Sequence, residues 1–154
     1  MDLHPALAPL AWLLGNWVGE GDGFYPSIAD FRYREEVVWT HNGKPMLAYA
    51  QKTWALDDGR PLHGESGYLR VAGGALELVI AHATGVVEVS TGPIADPIEL
   101  RSIEVIGTPT AKEVLSLDRR IWEEDGRLHY TLGMAAVGLV HQPHLAGVLT
   151  AQRT

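Results

Sequence analysis

The sequence predicts an all-β protein: a ten-stranded antiparallel up-and-down β-barrel with a short N-terminal helix. Three observations carry this reading. From Asn16 onward, short runs rich in Val, Ile, Leu, Tyr, Trp and Thr alternate with Gly, Asp, Asn and Pro punctuation. The 17 Gly and nine Pro are spread along the chain, which calls for many turns between short elements. The connectors are too short for crossover helices, so neighbouring strands must run antiparallel. Ten such strands without an internal repeat favour closure, which removes exposed edges, over the alternative of a two-sheet sandwich.

The first fourteen residues are expected to open the chain as one short helix. Pro5 suits its first turn, Leu7, Leu10 and Leu14 recur on one face, and Gly15 is a stop. Strands are expected at Asn16–Phe24, Phe31–His41, Met46–Leu56, Leu62–Val71, Ala75–His82, Val86–Thr91, Ile98–Ile106, Lys112–Trp122, Arg127–Ala136 and His144–Ala151. Asn42-Gly43, Asp57-Asp58-Gly59, Gly73-Gly74, Thr84-Gly85 and Asp125-Gly126 supply turn chemistry between them. Along Arg127–Ala136, Leu128, Tyr130, Leu132, Met134 and Ala136 share one face; along Ala75–His82, Leu76, Leu78 and Ile80 oppose Glu77. Phe31–His41 is mixed, with Glu35 and Glu36 both between apolar residues. The last strand is in conflict with itself, because on a regular pleat Leu145 and Leu149 fall opposite His144. Either a bulge near Pro143 resets the register, or the outer face is covered by the N-terminal helix or a second subunit. No linker or composition shift divides the chain, and residues 1–154 read as a single domain.

At 154 residues such a domain buries enough surface to fold without staples, and it has no cysteine for a disulfide, an iron–sulfur cluster or thiolate ligation. A net charge of −7 with no Lys/Arg cluster argues against nucleic acid and anionic membrane as partners. Pro5–Leu14 is apolar, but its only preceding charge is Asp2 and no small-residue cleavage site follows; no segment reaches the ~20 apolar residues of a membrane span. The chain reads as cytoplasmic.

The residues that could carry chemistry are few. There is no Gly-Xaa-Ser-Xaa-Gly elbow and no Walker loop, and the glycine-rich Gly15–Gly23 lies outside any βαβ unit, so its glycines are read as serving a curved strand or a close approach. His4 reads as solvated and His41 as a turn flank, while His82 and His129 read as exposed; His63 could face a cavity. His141 and His144 invite zinc, but residues three apart on a strand face opposite ways and no further ligand is evident nearby. His144 alone follows a proline and precedes an apolar strand, a setting in which a neutral imidazole can ligate haem iron. On these residues alone an ordinary structural histidine is the better account.

The motifs taken in order change that balance. Gly15-Asn-Trp-Val-Gly-Glu-Gly21 resembles the Gly-Xaa-Trp-Xaa-Gly-Xaa-Gly signature of the nitrobindins, small haem proteins with a barrel like that of the fatty-acid-binding proteins. It is followed by Tyr25-Pro-Ser-Ile28, Phe31-Arg-Tyr33 with Glu35-Glu36, Gly43-Lys-Pro45, Gln51-Lys-Thr-Trp54, and Glu65-Ser-Gly-Tyr68 preceded by His63. Thr84-Gly-Val-Val-Glu-Val89, Lys112-Glu113 and Gln142-Pro-His-Leu145 complete a resemblance that runs from Leu10 to Leu149.

The resemblance implies one haem b per chain, with His144 as axial ligand and the opposite side of the iron vacant. It implies that Lys112 lies at the haem edge near a propionate and that Ser27 stands where the family more often has threonine, keeping a hydroxyl. His63 and Met134 match cavity-facing positions. Gly15, Trp17, Gly19 and Gly21 match the motif, with a role in barrel packing and in leaving room beside the porphyrin. The implied activity is conversion of peroxynitrite to nitrate at ferric haem, with reversible nitric oxide binding. The rivals are a non-catalytic barrel carrying haem or another small apolar ligand, and a haem sensor or delivery protein. Leu145 and Leu149, read as outward, would suit a homodimer.

Overall fold

The computed structural model describes residues 1–152. A 3₁₀ helix, Pro5–Leu13, precedes ten antiparallel strands: β1 (Gly15–Tyr25), β2 (Ile28–His41), β3 (Met46–Ala55), β4 (Pro61–Ala72), β5 (Ala75–His82), β6 (Val86–Pro93), β7 (Ile98–Gly107), β8 (Val114–Glu124), β9 (Arg127–Ala136) and β10 (Gln142–Gln152). Each strand pairs with its sequence neighbours, and β1 pairs with β10 to close the barrel. All ten expected strands are present, with ends displaced by a few residues. Two displacements matter: β8 begins after Lys112, which stands in a loop, and β10 begins before His144. Residues 153–154 of the expected domain lie outside the described residues.

The turns follow their local chemistry. Asp125 and Gly126 both take positive φ, 53° and 73°, as a two-residue hairpin requires for its twist to match that of β8 and β9. Gly19 is there for a different reason: a Cβ on it would lie 2.0 Å from the Val148 carbonyl oxygen, so only glycine lets β1 and β10 come together at the closing seam. At Gly21 the space is filled by the Tyr33 ring, 2.3 Å from where a Cβ would stand.

The N-terminal helix plugs one end of the barrel. His4 caps it, its Nδ1 accepting from the Ala6 N–H at 3.1 Å. The sequence expectation placed Leu14 on the packed face and Gly15 as the stop. The helix is instead 3₁₀, so its period is three: Leu7, Leu10 and Leu13 are buried, Leu14 is not fully so, and Gly15 already belongs to β1. These leucines pack into a core that includes Trp17, Trp39, Leu47, Leu69, Leu76, Leu100 and Leu128. The Trp17 indole N–H donates to the Leu13 carbonyl at 2.8 Å, tying the plug to β1. No helix among the described residues is long and apolar enough to cross a membrane.

Leu10 is 1 % exposed. Leu10→Ala is expected to leave a cavity in the plug and lower unfolding stability by about 2–5 kcal/mol in a urea titration; a loss under about 1 kcal/mol would mean that the helix does not hold the barrel end.

Candidate functional site

Strand direction sorts the connections into two ends. Residues 42–45, 73–74, 94–97 and 125–126 turn at the plugged end, whereas 26–27, 56–60, 83–85, 108–113 and 137–141 turn at the opposite end, the mouth. Ser27, His63, Lys112, Met134 and His144 all fall on or beside the mouth connections. Topology brings together residues up to 117 positions apart in sequence (144 minus 27). Trp17 and Gly15 lie at the other end of β1, and the packing just described accounts for Trp17, Gly19 and Gly21.

His144 is a bulge residue. On β10, Pro143 pairs with Gly133 and Leu145 pairs with Leu132, so His144 is the extra residue between them. The β1–β2 ladder is also irregular between Gly23 and Tyr25, which puts Phe24 at a break of its own. The two breaks meet: His144 Nδ1–H donates to the Phe24 carbonyl at 3.0 Å. That bond fixes the tautomer and leaves Nε2 as a lone-pair donor. The Tyr25 ring meets the imidazole edge-on, centroids 5.5 Å apart. Tyr25 is itself buried and anchored, its hydroxyl accepting from the Ala136 N–H at 2.9 Å and facing the Met134 carbonyl at 3.2 Å. Burial pushes the His144 pKa down from 6.5, the Phe24 carbonyl pulls it partly back, and a positive charge on His63 would lower it further. The half-buried imidazole is therefore neutral near pH 7.

The bulge settles the conflict read from the last strand and reverses one expectation. Leu145 and Leu149 face the lumen, not the exterior: Leu149 is 1 % exposed, and both line an internal cavity with Leu132, Leu128 and Val37. The sequence ground for a homodimer through those two leucines therefore falls. His141 sits on the outer face, its Nε2 2.9 Å from Asp118 Oδ1 and its Nδ1 2.7 Å from Ser116 Oγ. Ser27 is exposed in the β1–β2 turn, Lys112 is exposed in the 108–113 loop, and Met134 is half-buried on β9. His63 is turned to His82, ring nitrogens 3.1 Å apart.

Sequence reasoning missed the lumen. Arg119 of β8 reaches across it to Glu65 of β4 (3.0 and 2.8 Å) and to Glu88 of β6 (3.1 and 2.7 Å), forking onto both carboxylates. His82, expected to be exposed, has a side chain only 8 % exposed, and its Nε2 lies 3.0 Å from Glu88 Oε1. Tyr49 donates to Glu65 and Ser90 to Glu88. Burial alone would raise both carboxyls, but the Arg119 charge and the bonds around it win, holding Glu65 well below the carboxylate range and Glu88 at about 2. Beside this cluster Glu35, 1 % exposed, accepts from Tyr130 at 2.7 Å and Gln51 at 2.5 Å, and Tyr130 also bonds Tyr33. The available signal was alternation: Val86, Glu88 and Ser90 share an inward face, as do Leu117, Arg119 and Ile121.

Comparison with known proteins agrees with this architecture. Residues 6–150 match the family model described as a THAP4-like, heme-binding beta-barrel domain. The chain is 54 % identical to peroxynitrite isomerase 2 of Mycobacterium avium, over 99 % of this chain and 98 % of the relative. It is 51 % identical to peroxynitrite isomerase 1 of Mycobacterium tuberculosis, over 99 % and 98 %. Among solved structures, the crystal structure of Rv2717c from M. tuberculosis superposes with a TM-score of 0.91 at 49 % identity, covering 99 % of this chain and 100 % of that one.

The lumen carries opposing pH dependences. Burial pushes the Glu35 carboxyl up from 4.5 to about 7, against the Tyr130 and Gln51 bonds and with help from the Glu65 charge. A raised carboxyl stabilises the fold fully below its unfolded value, and that contribution is lost as pH rises through the folded one. Glu65 and Glu88 are depressed, so their contribution is present above 4.5 and is lost on acidification. Glu35→Gln mimics the neutral form. Its stability relative to wild type should rise by on the order of 2 kcal/mol between about pH 5 and about pH 8 in urea unfolding. A difference that stays flat over this range would show Glu35 ionised throughout.

Proposed function

Because the chain belongs to the THAP4-like, heme-binding β-barrel family, the nitrobindins, we propose that it is a haem-dependent peroxynitrite isomerase with His144 as axial iron ligand. The observation that carries this reading is the His144 imidazole at the mouth: its Nδ1–H is held by the Phe24 carbonyl, so Nε2 presents a lone pair from a neutral ring. That donor set fits a haem. Iron needs an unprotonated imidazole nitrogen, and a hydrogen bond on the other nitrogen orients the ring and raises its basicity.

Each mouth residue has a part in the proposal. His144 binds the iron, with Tyr25 bracing its ring edge-on and the bulge fixing its approach. Lys112, exposed on the 108–113 loop, carries the positive charge for a propionate, and Ser27, exposed in the β1–β2 turn, offers a hydroxyl to the haem. His63 and Met134, neither fully exposed, flank the pocket. Ferric haem bound here supplies the redox chemistry that converts peroxynitrite to nitrate and a coordination position for reversible binding of nitric oxide. The chain's own residues ligate, orient and limit access of water; none of them needs to act as acid or base. A cytoplasmic site of action is part of the proposal and rests on the N-terminal run Pro5–Leu14, whose only preceding charge is Asp2 and which no small-residue cleavage site follows.

The test is a haem titration of the full chain and of His144→Ala, read by absorption and followed by nitrate formation from peroxynitrite. Wild type should take up haem stoichiometrically with a ferric Soret band. His144→Ala should lose or shift that band, bind haem at least about tenfold more weakly, and fall toward the rate of haem alone. No uptake by wild type, or an unchanged spectrum in His144→Ala, would leave a carrier of apolar ligands as the better account.

A further inference from the structure

Apart from His144, the mouth holds a second cluster of metal-ligating side chains, of which the haem reading uses only His63, as a flank of the pocket. His63 and Glu65 are two apart on β4 and so face the same way, and Glu65 pairs directly with His82 on β5. The three side chains converge on the inward side of this hairpin. His63 Nε2 and His82 Nδ1 are 3.1 Å apart, His82 Nδ1 and Glu65 Oε2 are 3.3 Å apart, and His63 Nε2 and Glu65 Oε2 are 3.9 Å apart. Four ligands around zinc at bond lengths of about 2.0–2.2 Å stand about 3.3–3.6 Å from one another. The three sides of the triangle bracket that range, from 3.1 to 3.9 Å.

We propose that His63, Glu65 and His82 form a binding site for a divalent transition-metal cation of the zinc class, separate from the haem ligand. Two imidazoles and one carboxylate are a zinc donor set, and the open side of the triangle leaves a fourth position for water.

The surroundings meet the further requirements of such a site. A ligating histidine is expected to give its other ring nitrogen to a carboxylate, and His82 Nε2 lies 3.0 Å from Glu88 Oε1. With its proton on Nε2, His82 turns an Nδ1 lone pair toward His63 and Glu65. Glu65 is oriented by Arg119, which donates to each of its oxygens, so the carboxylate is held in place before any metal ion binds. The backbone under His63 is pinned by Thr53, whose Oγ1 accepts from the His63 N–H at 2.9 Å and donates to its carbonyl at 2.8 Å. Charge points the same way: Arg119 offsets only one of the Glu65 and Glu88 carboxylates, and the surplus is negative. Access comes through His63, whose side chain is 29 % exposed at the mouth while those of Glu65 and His82 are 3 % and 8 % exposed. Without a cation, the two imidazole nitrogens that would bind it face each other across a single hydrogen bond.

The test is calorimetric titration of zinc sulfate into the chelator-stripped full chain without haem. Wild type should bind one Zn²⁺ per chain with a Kd of ~10 µM or tighter. His63→Ala and His82→Ala should each weaken that binding at least about tenfold, while His144→Ala and His141→Ala stay within about twofold of wild type. Bound zinc should raise the unfolding temperature of wild type but not of His63→Ala, whose site is at the rim and whose fold is checked by circular dichroism. If His82→Ala does not fold, His63→Ala decides the matter alone. Absence of stoichiometric uptake would overturn the proposal and leave the cluster a hydrogen-bond relay. So would uptake that survives in His63→Ala, or that is lost in His141→Ala or His144→Ala instead.

Discussion

The seam between β1 and β10 is the constraint on which the rest of the barrel depends. Without it the other nine pairings make an open sheet with two long edges. The seam can form only because Gly19 lets the Val148 carbonyl come where a Cβ would otherwise be. The regular pairing of the seam ends at Gly23 with Leu145, and the next residues outward are Phe24 and His144. The place where the ladder stops is therefore the place where a ring nitrogen meets a backbone carbonyl. The motif glycines act on the mouth from a distance, by setting the register that delivers His144 to Phe24.

Behind the mouth the lumen is held by charge. A barrel interior filled only by apolar side chains would not need Arg119, whose burial is costly unless every donor is used. Here the guanidinium forks onto Glu65 and Glu88 and links β8 to β4 and β6 across the lumen, a cross-connection the ladder cannot provide. Replacing one partner would strand a buried charge, so the cluster is rigid by necessity. Glu35 differs because its partners are Tyr130 and Gln51 and not a cation, and burial then decides its protonation. One lumen thus contains carboxylates pushed in opposite directions by their nearest neighbours.

Much of the fold was legible because strands and turns are local. Period-two alternation and dipeptides such as Asp125-Gly126 carry their geometry in a few residues, and the barrel followed from the shortness of the connectors. Ser27 and Lys112 were singled out only through resemblance to a family, since nothing local distinguishes either. What could not be read were the positions at which a local rule is broken. A regular pleat extrapolated through Pro143 sends Leu145 and Leu149 outward, and one bulge at His144 sends them inward. Arg119, Glu65 and Glu88 drew no notice as lumen residues in the sequence, because a charged residue in a strand is usually solvent-facing. Only the pairing of Arg119 with both carboxylates, 31 and 54 residues away in sequence, makes an inward position tolerable. His82 read as exposed because it ends its strand, and its bond to Glu88 is what turns it inward.

The mouth histidines show how partners, and not residue type, divide the chemistry. His144 has a carbonyl on Nδ1 and hydrophobic cover, a combination that favours the neutral ring with Nε2 unprotonated. His82 has a carboxylate on Nε2, which favours a proton on that nitrogen and leaves Nδ1 as the donor. The two rings thus offer opposite nitrogens, and each is oriented by a group on a different strand, Phe24 of β1 or Glu88 of β6. A ligand that needs one imidazole and open space is suited by the first. A cation that needs several donors at close range is suited by the second together with His63 and Glu65. The barrel can keep both because the strands that carry them, β10 and β5, are not neighbours in the sheet.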